Sequence, residues 1–188
     1  MNNAMDQWVI TDASPEWDFR IEIDKDENSG RPEAHGDVYN ADAMNDAYNK
    51  DANATDEERE AAVLWARQAV RAWELREWTF VVVSVTPVHK KHGDIFQGAS
   101  VSVGGCDYGR LPKGDGTIVD TSTREYVMSA WGDDLVSEAT GQGYEALAKM
   151  RDNHKAKIDR TAQKIVDHVG GTLENARAAA VDIFGAGI

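Results

Sequence analysis

The chain has 188 residues and a mass of 20.7 kDa, with 41% hydrophobic and 28% charged side chains. That is enough for one domain with a real core, and it excludes a fibrous or wholly disordered chain. Its 33 acidic and 20 basic side chains leave a net charge of −13, which argues against nonspecific binding to nucleic acid or an anionic membrane. No apolar run approaches the roughly 18 residues of a membrane helix. The opening MNNAMDQW lacks the basic region and apolar stretch of a signal peptide. A single cysteine rules out an internal disulfide framework and a zinc ribbon and fits a reducing, cytoplasmic setting.

In chain order, residues 1–15 read as a flexible arm ending at Ser14-Pro15. Trp17, Phe19, Ile21 and Ile23 then alternate with Asp18, Arg20, Glu22 and Asp24, a period of two that predicts a strand with one face in the core. Residues 24–54 read as a long acidic loop with one short helix around 41–48. Thr55-Asp-Glu-Glu58 is a capping box, and Ala62, Trp65, Ala66, Ala69, Val70 and Trp73 recur at helical spacing, which predicts an amphipathic helix over 56–76. Trp78-Thr-Phe-Val-Val-Val-Ser-Val85 is apolar on both faces, as a central strand is. Beyond a polar tip at His89–Gly93, Ala99, Val101 and Val103 alternate with Ser100 and Ser102 as a second one-faced strand. Residues 104–121 read as a glycine-rich loop. A helix is expected from near Thr121-Ser122 to Thr140, interrupted at Gly141 and Gly143, then another over 144–169, and a last one capped by Thr172.

These elements assemble into an α+β fold. The expectation is a three-stranded mixed sheet with strand 78–86 in the middle, helices on one face and a helical C-terminal third. The first strand would pair parallel to the central one through a right-handed helical crossover. Residues 16–140 would form the domain, with 141–188 a helical extension.

Charge is spread unevenly. Residues 1–60 hold 17 acids against 5 bases, whereas 149–164 holds 6 bases against 2 acids. Asp37, Asp42, Asp46, Asp51, Asp56, Glu57, Glu58 and Glu60 place a carboxylate every few residues, a spacing that can imitate a phosphate backbone. An ordinary solvated loop and helix start explains the same residues. Five of the six tryptophans fall on expected core faces, and Trp8 in the arm is left as a candidate anchor for a partner.

No constellation passes a strict test for chemistry, so no catalytic residue, metal or cofactor is expected. Asp24 to Gly30 resembles a calcium loop in its alternating oxygens, yet Ser29 stands at the sixth position and His35 at the twelfth. His89 and His92 sit on a hairpin tip remote from Cys106, too few and too far apart for a zinc site. Gly104 to Gly116 has the composition of a phosphate loop without its order, although Arg110 and Lys113 could meet an anionic small molecule.

The runs Glu77-Trp-Thr-Phe-Val-Val-Val-Ser-Val-Thr-Pro87, Gln97-Gly-Ala-Ser-Val-Ser-Val103 and Glu125-Tyr-Val-Met, with Ala139 onward, resemble a pattern in small uncharacterised acidic accessory proteins of actinobacterial phages. The resemblance covers about residues 60–140. It implies a cytoplasmic accessory protein of a phage or its host and transfers no active site. The expectation is a noncatalytic protein that binds a host or phage macromolecule through Trp8, Asp37, Asp42, Asp46, Asp51, Glu57 and Glu58, as an inhibitor or DNA mimic. The partner would be a basic or nucleic-acid-binding protein. The alternatives are a self-assembling or virion-associated protein, joining acidic 1–60 to basic 149–164 in a homo-oligomer, and a phosphate or nucleotide binder using the 104–116 loop.

Overall fold

The computed structural model describes residues 4–11, 13–34, 37–93 and 97–185. The fold is α+β, and its sheet has five strands rather than three, in the order β1 (Asp6–Ile10), β2 (Trp17–Lys25), β3 (Trp78–His89), β4 (Val101–Pro112) and β5 (Ile118–Asp120). Every pairing is antiparallel, so the sheet is a meander and not mixed. The central place of β3 agrees with its apolar residues on both faces.

The parallel pairing expected of β2 and β3 fails for a reason in the connection. Two helices, α1 (Ala41–Lys50) and α2 (Asp56–Glu74), lie between the strands and pack on each other as a hairpin. One helix would carry the chain to the far end of the sheet; a helical hairpin carries it out and back. β3 therefore starts where β2 stops, with Lys25 opposite Val81 and Trp17 opposite His89.

Two strands lie in segments expected to be irregular, β1 in the arm and β5 in the 104–121 stretch, and β4 runs on past Val103 through the same stretch. The arm contains β1, whose Trp8 lies opposite Ile21. The glycine-rich loop contains most of β4. Val81 pairs with Cys106 and Val83 with Val103, so Gly104 and Gly105 together oppose Val82 in a β-bulge, and Gly105 takes a φ of 70°. Glycine here serves the bulge and not a loop. The Asp26 carboxylate pins the bulge from β2's end, accepting from the Ser29 hydroxyl at 2.8 Å and from the amides of Asn28, Ser29 and Gly105.

Helices cover both faces, not one. On the first face Trp17, Phe19, Ile21, Ile23, Val81, Val83 and Val85 are fully buried against Val127, Leu135, Ala139 and Leu147. On the second, Trp78, Phe80 and Leu111 bury Ala69 and Ala72 of α2. β3 thus serves two cores by changing which face it buries between Phe80 and Val81.

The C-terminal third is helical, but Gly141 and Gly143 do not interrupt it. A short helix α3 (Arg124–Val127), capped by Thr123, runs through a π turn (Met128–Gly132) into α4 (Asp133–Val169). Val127, Trp131, Leu135, Ala139, Gly143 and Leu147 recur every four residues, a spacing that drifts around an α-helix of 3.6 residues per turn. The wider π turn corrects part of that drift and keeps the stripe on the sheet. Beyond Met150 the helix leaves the sheet core and pairs with α5 (Leu173–Phe184) through Ala162, Ala176 and Ala180.

Candidate functional site

The acidic residues singled out by sequence converge on the α1–α2 hairpin. Asn40 caps α1, its Oδ1 accepting from the amides of Asp42 and Ala43 at 3.1 and 3.2 Å. No residue of α1 is buried; the helix packs on α2 and on the short turn Asp37–Tyr39. Asp42 and Asp46 are exposed one turn apart, and Asp51 is exposed at the C-cap. Glu57 and Glu58 are exposed in the first turn of α2. The Asp37 side chain lies outside the described residues.

One of these carboxylates has a structural task. Glu58 Oε2 accepts from the Thr55 amide at 2.8 Å while Thr55 Oγ1 accepts from the Glu58 amide at 3.2 Å, so the capping box forms as its spacing predicts. The bond from the Thr55 amide holds the Glu58 carboxyl below its ordinary value. Asp56 is likewise engaged, 2.8 Å from Arg59. Asp42, Asp46, Asp51 and Glu57 form no ion pair with a described cation.

The hairpin is fastened to the sheet by an aromatic cluster that sequence reasoning missed. The Tyr39 ring lies 5.7, 5.2 and 6.1 Å from those of Trp65, Trp78 and Phe80. Its hydroxyl donates to Asp107 Oδ2 at 2.7 Å. Trp65 Nε1 donates to the Pro112 carbonyl at 2.6 Å and Trp78 Nε1 to the Ala69 carbonyl at 2.8 Å. Tyr39 and Asp107 are 68 residues apart, and no local pattern announces such a pair.

Burial raises the Asp107 carboxyl above its ordinary value, and the Tyr39 hydroxyl partly offsets this. Burial, then the Asp107 charge, drives the Tyr39 phenol well above its usual range. A carboxyl with a raised folded pKa contributes its stability fully below the unfolded pKa and loses it as pH rises through the folded one. Asp107→Asn keeps an acceptor for Tyr39 and removes this titration. Denaturant midpoints should therefore show the variant gaining on the wild type as pH rises from about 4 to about 7. A difference that does not change with pH would contradict the assignment.

The remaining candidates are dispersed. Trp8 is half-buried on the first face of the sheet, against the α4 core, with the Arg124 guanidinium 5.2 Å from its ring centroid. The acidic hairpin is on the second face, so the two do not join in one surface. Arg110 is exposed on β4 opposite Asp120. The Lys113 amide donates to the Thr117 carbonyl at 2.7 Å and the Gly116 amide to the Lys113 carbonyl at 2.9 Å. Those amides close the β4–β5 turn and are not turned toward a ligand.

His89 is not on an exposed tip. It is buried edge-on to Trp17 at 4.8 Å, and its Nδ1 accepts from the amides of Lys91 and His92. Cys106 is buried in the first core, and burial pushes its thiol up to about 11, the reverse of what a nucleophile needs. Among the described residues no cluster of three or more His, Cys, Asp or Glu could hold a metal ion, and no helix is long and apolar enough to cross a membrane. No family model, curated protein or solved structure matches this chain.

Proposed function

We propose that this protein is a noncatalytic cytoplasmic accessory factor, of the phage type its sequence resembles, that binds a protein with a basic surface through the α1–α2 hairpin. The observation that carries this reading is the set Asp42, Asp46, Asp51 and Glu57: four exposed carboxylates on an outer helical layer, none in an ion pair with a described cation. Such a surface speeds encounter with a positive partner and makes binding sensitive to salt. Where the partner is a nucleic-acid-binding protein, the row of carboxylates competes with phosphates for its site. The aromatic cluster around Tyr39 supports the reading by holding the hairpin rigidly on the sheet.

The test is capture from an actinobacterial lysate at low and high salt. Wild-type protein should retain a basic protein at low salt and lose it at high salt. The variant Asp42→Lys, Asp46→Lys, Asp51→Lys, Glu57→Lys should retain none, with its circular dichroism unchanged. Glu58 is left intact because its carboxylate caps α2. Equal capture by wild type and variant would end the proposal.

A further inference from the structure

We propose that one partner of the acidic hairpin is a second copy of this chain, docked on a basic face of α4. The inference rests on reading the hairpin as a binding surface and names what it binds. Lys149, Lys157, Arg160 and Lys164 are exposed and fall within about a quarter turn of one another on an α-helix. The acids of this segment point elsewhere: Asp152 and Asp159 fall on a different face, and Asp159 is bound to Arg177 at 2.8 Å. Lys157 rests over the Phe184 ring at 4.2 Å and helps hold α5. Lys149, Arg160 and Lys164 form no ion pair with a described carboxylate.

This part of α4 has room for a partner. Past Met150 it stands clear of the sheet core, and α5 covers only the side bearing Ala162. Toward the body this face opens into a groove of about 840 Å³ where Lys149 stands beside Glu138 and Glu145, so the basic stretch runs outward from Lys149 and not into the groove. From Lys149 to Lys164 the helix runs about 22 Å, long enough to receive α1, whose carboxylates from Asp42 to Asp51 span about 14 Å. Charge is complementary along that length, and spacing matches too, with carboxylates one turn apart on α1 and cations one turn apart at Arg160 and Lys164. Because the two surfaces differ, copies join either as a two-fold dimer with the contact made twice or head to tail in a chain.

Sedimentation of the full chain distinguishes the outcomes. At about 10 mM salt, where the Debye length is about 30 Å, the wild type should exceed the monomer mass. At about 1 M, where it is about 3 Å, it should be monomeric. Two variants, K149E/R160E/K164E and D42K/D46K/E57K, should each weaken association about tenfold or more. Mixing them should restore association, since each supplies the charge the other lacks. A monomer at low salt overturns the inference, as does association that survives in both variants. If the wild type is monomeric yet still captures a lysate protein through the hairpin, the self-docking inference fails and the binding surface stands; if capture also ignores the hairpin charges, both fail.

Discussion

Gly109→Ala should lower the unfolding free energy by about 3–5 kcal/mol, against a total of ~5–15 kcal/mol for a domain. Gly109 has a φ of 126°, and an added Cβ would lie 2.4 Å from the Glu77 carbonyl oxygen and 2.8 Å from the Trp78 Cα. Both obstacles are backbone and cannot rotate away. Backbone strain contributes about 1–3 kcal/mol and overlap about 1–3 kcal/mol more. The close approach matters because three strands meet there. The Gly109 amide donates to Thr121 Oγ1 at 2.9 Å, the Thr121 hydroxyl donates to the Gly109 carbonyl at 3.0 Å, and the Arg110 amide donates to the Glu77 carbonyl at 2.8 Å. Gly105→Ala is the control. It shares a positive φ but has nothing within 4 Å of an added Cβ, so it should lose only about 1–2 kcal/mol. Equal losses in urea melts would show that strain alone, and not the contact with β3, sets the requirement for glycine.

Trp17→Ala should cost about 3–5 kcal/mol, the usual range for emptying a buried tryptophan site. Trp17 is fully buried and joins several elements: its ring lies 4.8 Å from that of His89 and 5.6 Å from that of Tyr144. Gly143 of α4 lies against it, where an added Cβ would sit 3.2 and 3.3 Å from two ring carbons. The indole therefore sets how closely α4 approaches the sheet, and Gly143 is small because Trp17 is large. Gly143→Ala should accordingly destabilise the wild type and become neutral or stabilising in a Trp17→Phe background, where helix propensity dominates. The coupling between the two positions should reach about 1 kcal/mol in a double-mutant cycle. Additive effects would show that the two residues do not share the same space.

The candidate surface was partly legible before folding. Asp42, Asp46, Asp51 and Glu57 stand out by charge alone, and the structure places them together because the turn between α1 and α2 is short. Trp8 stands out only because its strand carries no local signature. β1 has few residues, and an edge strand with one neighbour needs little internal pattern to pair. The glycine bulge of β4 is not legible in sequence because a bulge and a loop share a composition; only the partner strand shows which one is present.

What the sequence determined by itself is what neighbours along the chain decide. The alternation in β2, the two-faced character of β3, the capping box at Thr55, the cap at Thr172, and the stripes of α2 and α4 all rest on contacts within a few residues. Tertiary structure decided the rest: five strands rather than three, antiparallel rather than parallel pairing, helices on two faces, and the clasp of Tyr39 on Asp107. Each of these depends on groups far apart in the chain, whose meeting is set by the direction of a helical hairpin and the register of a sheet. A local pattern states which face of an element is apolar, but not which distant element will cover it.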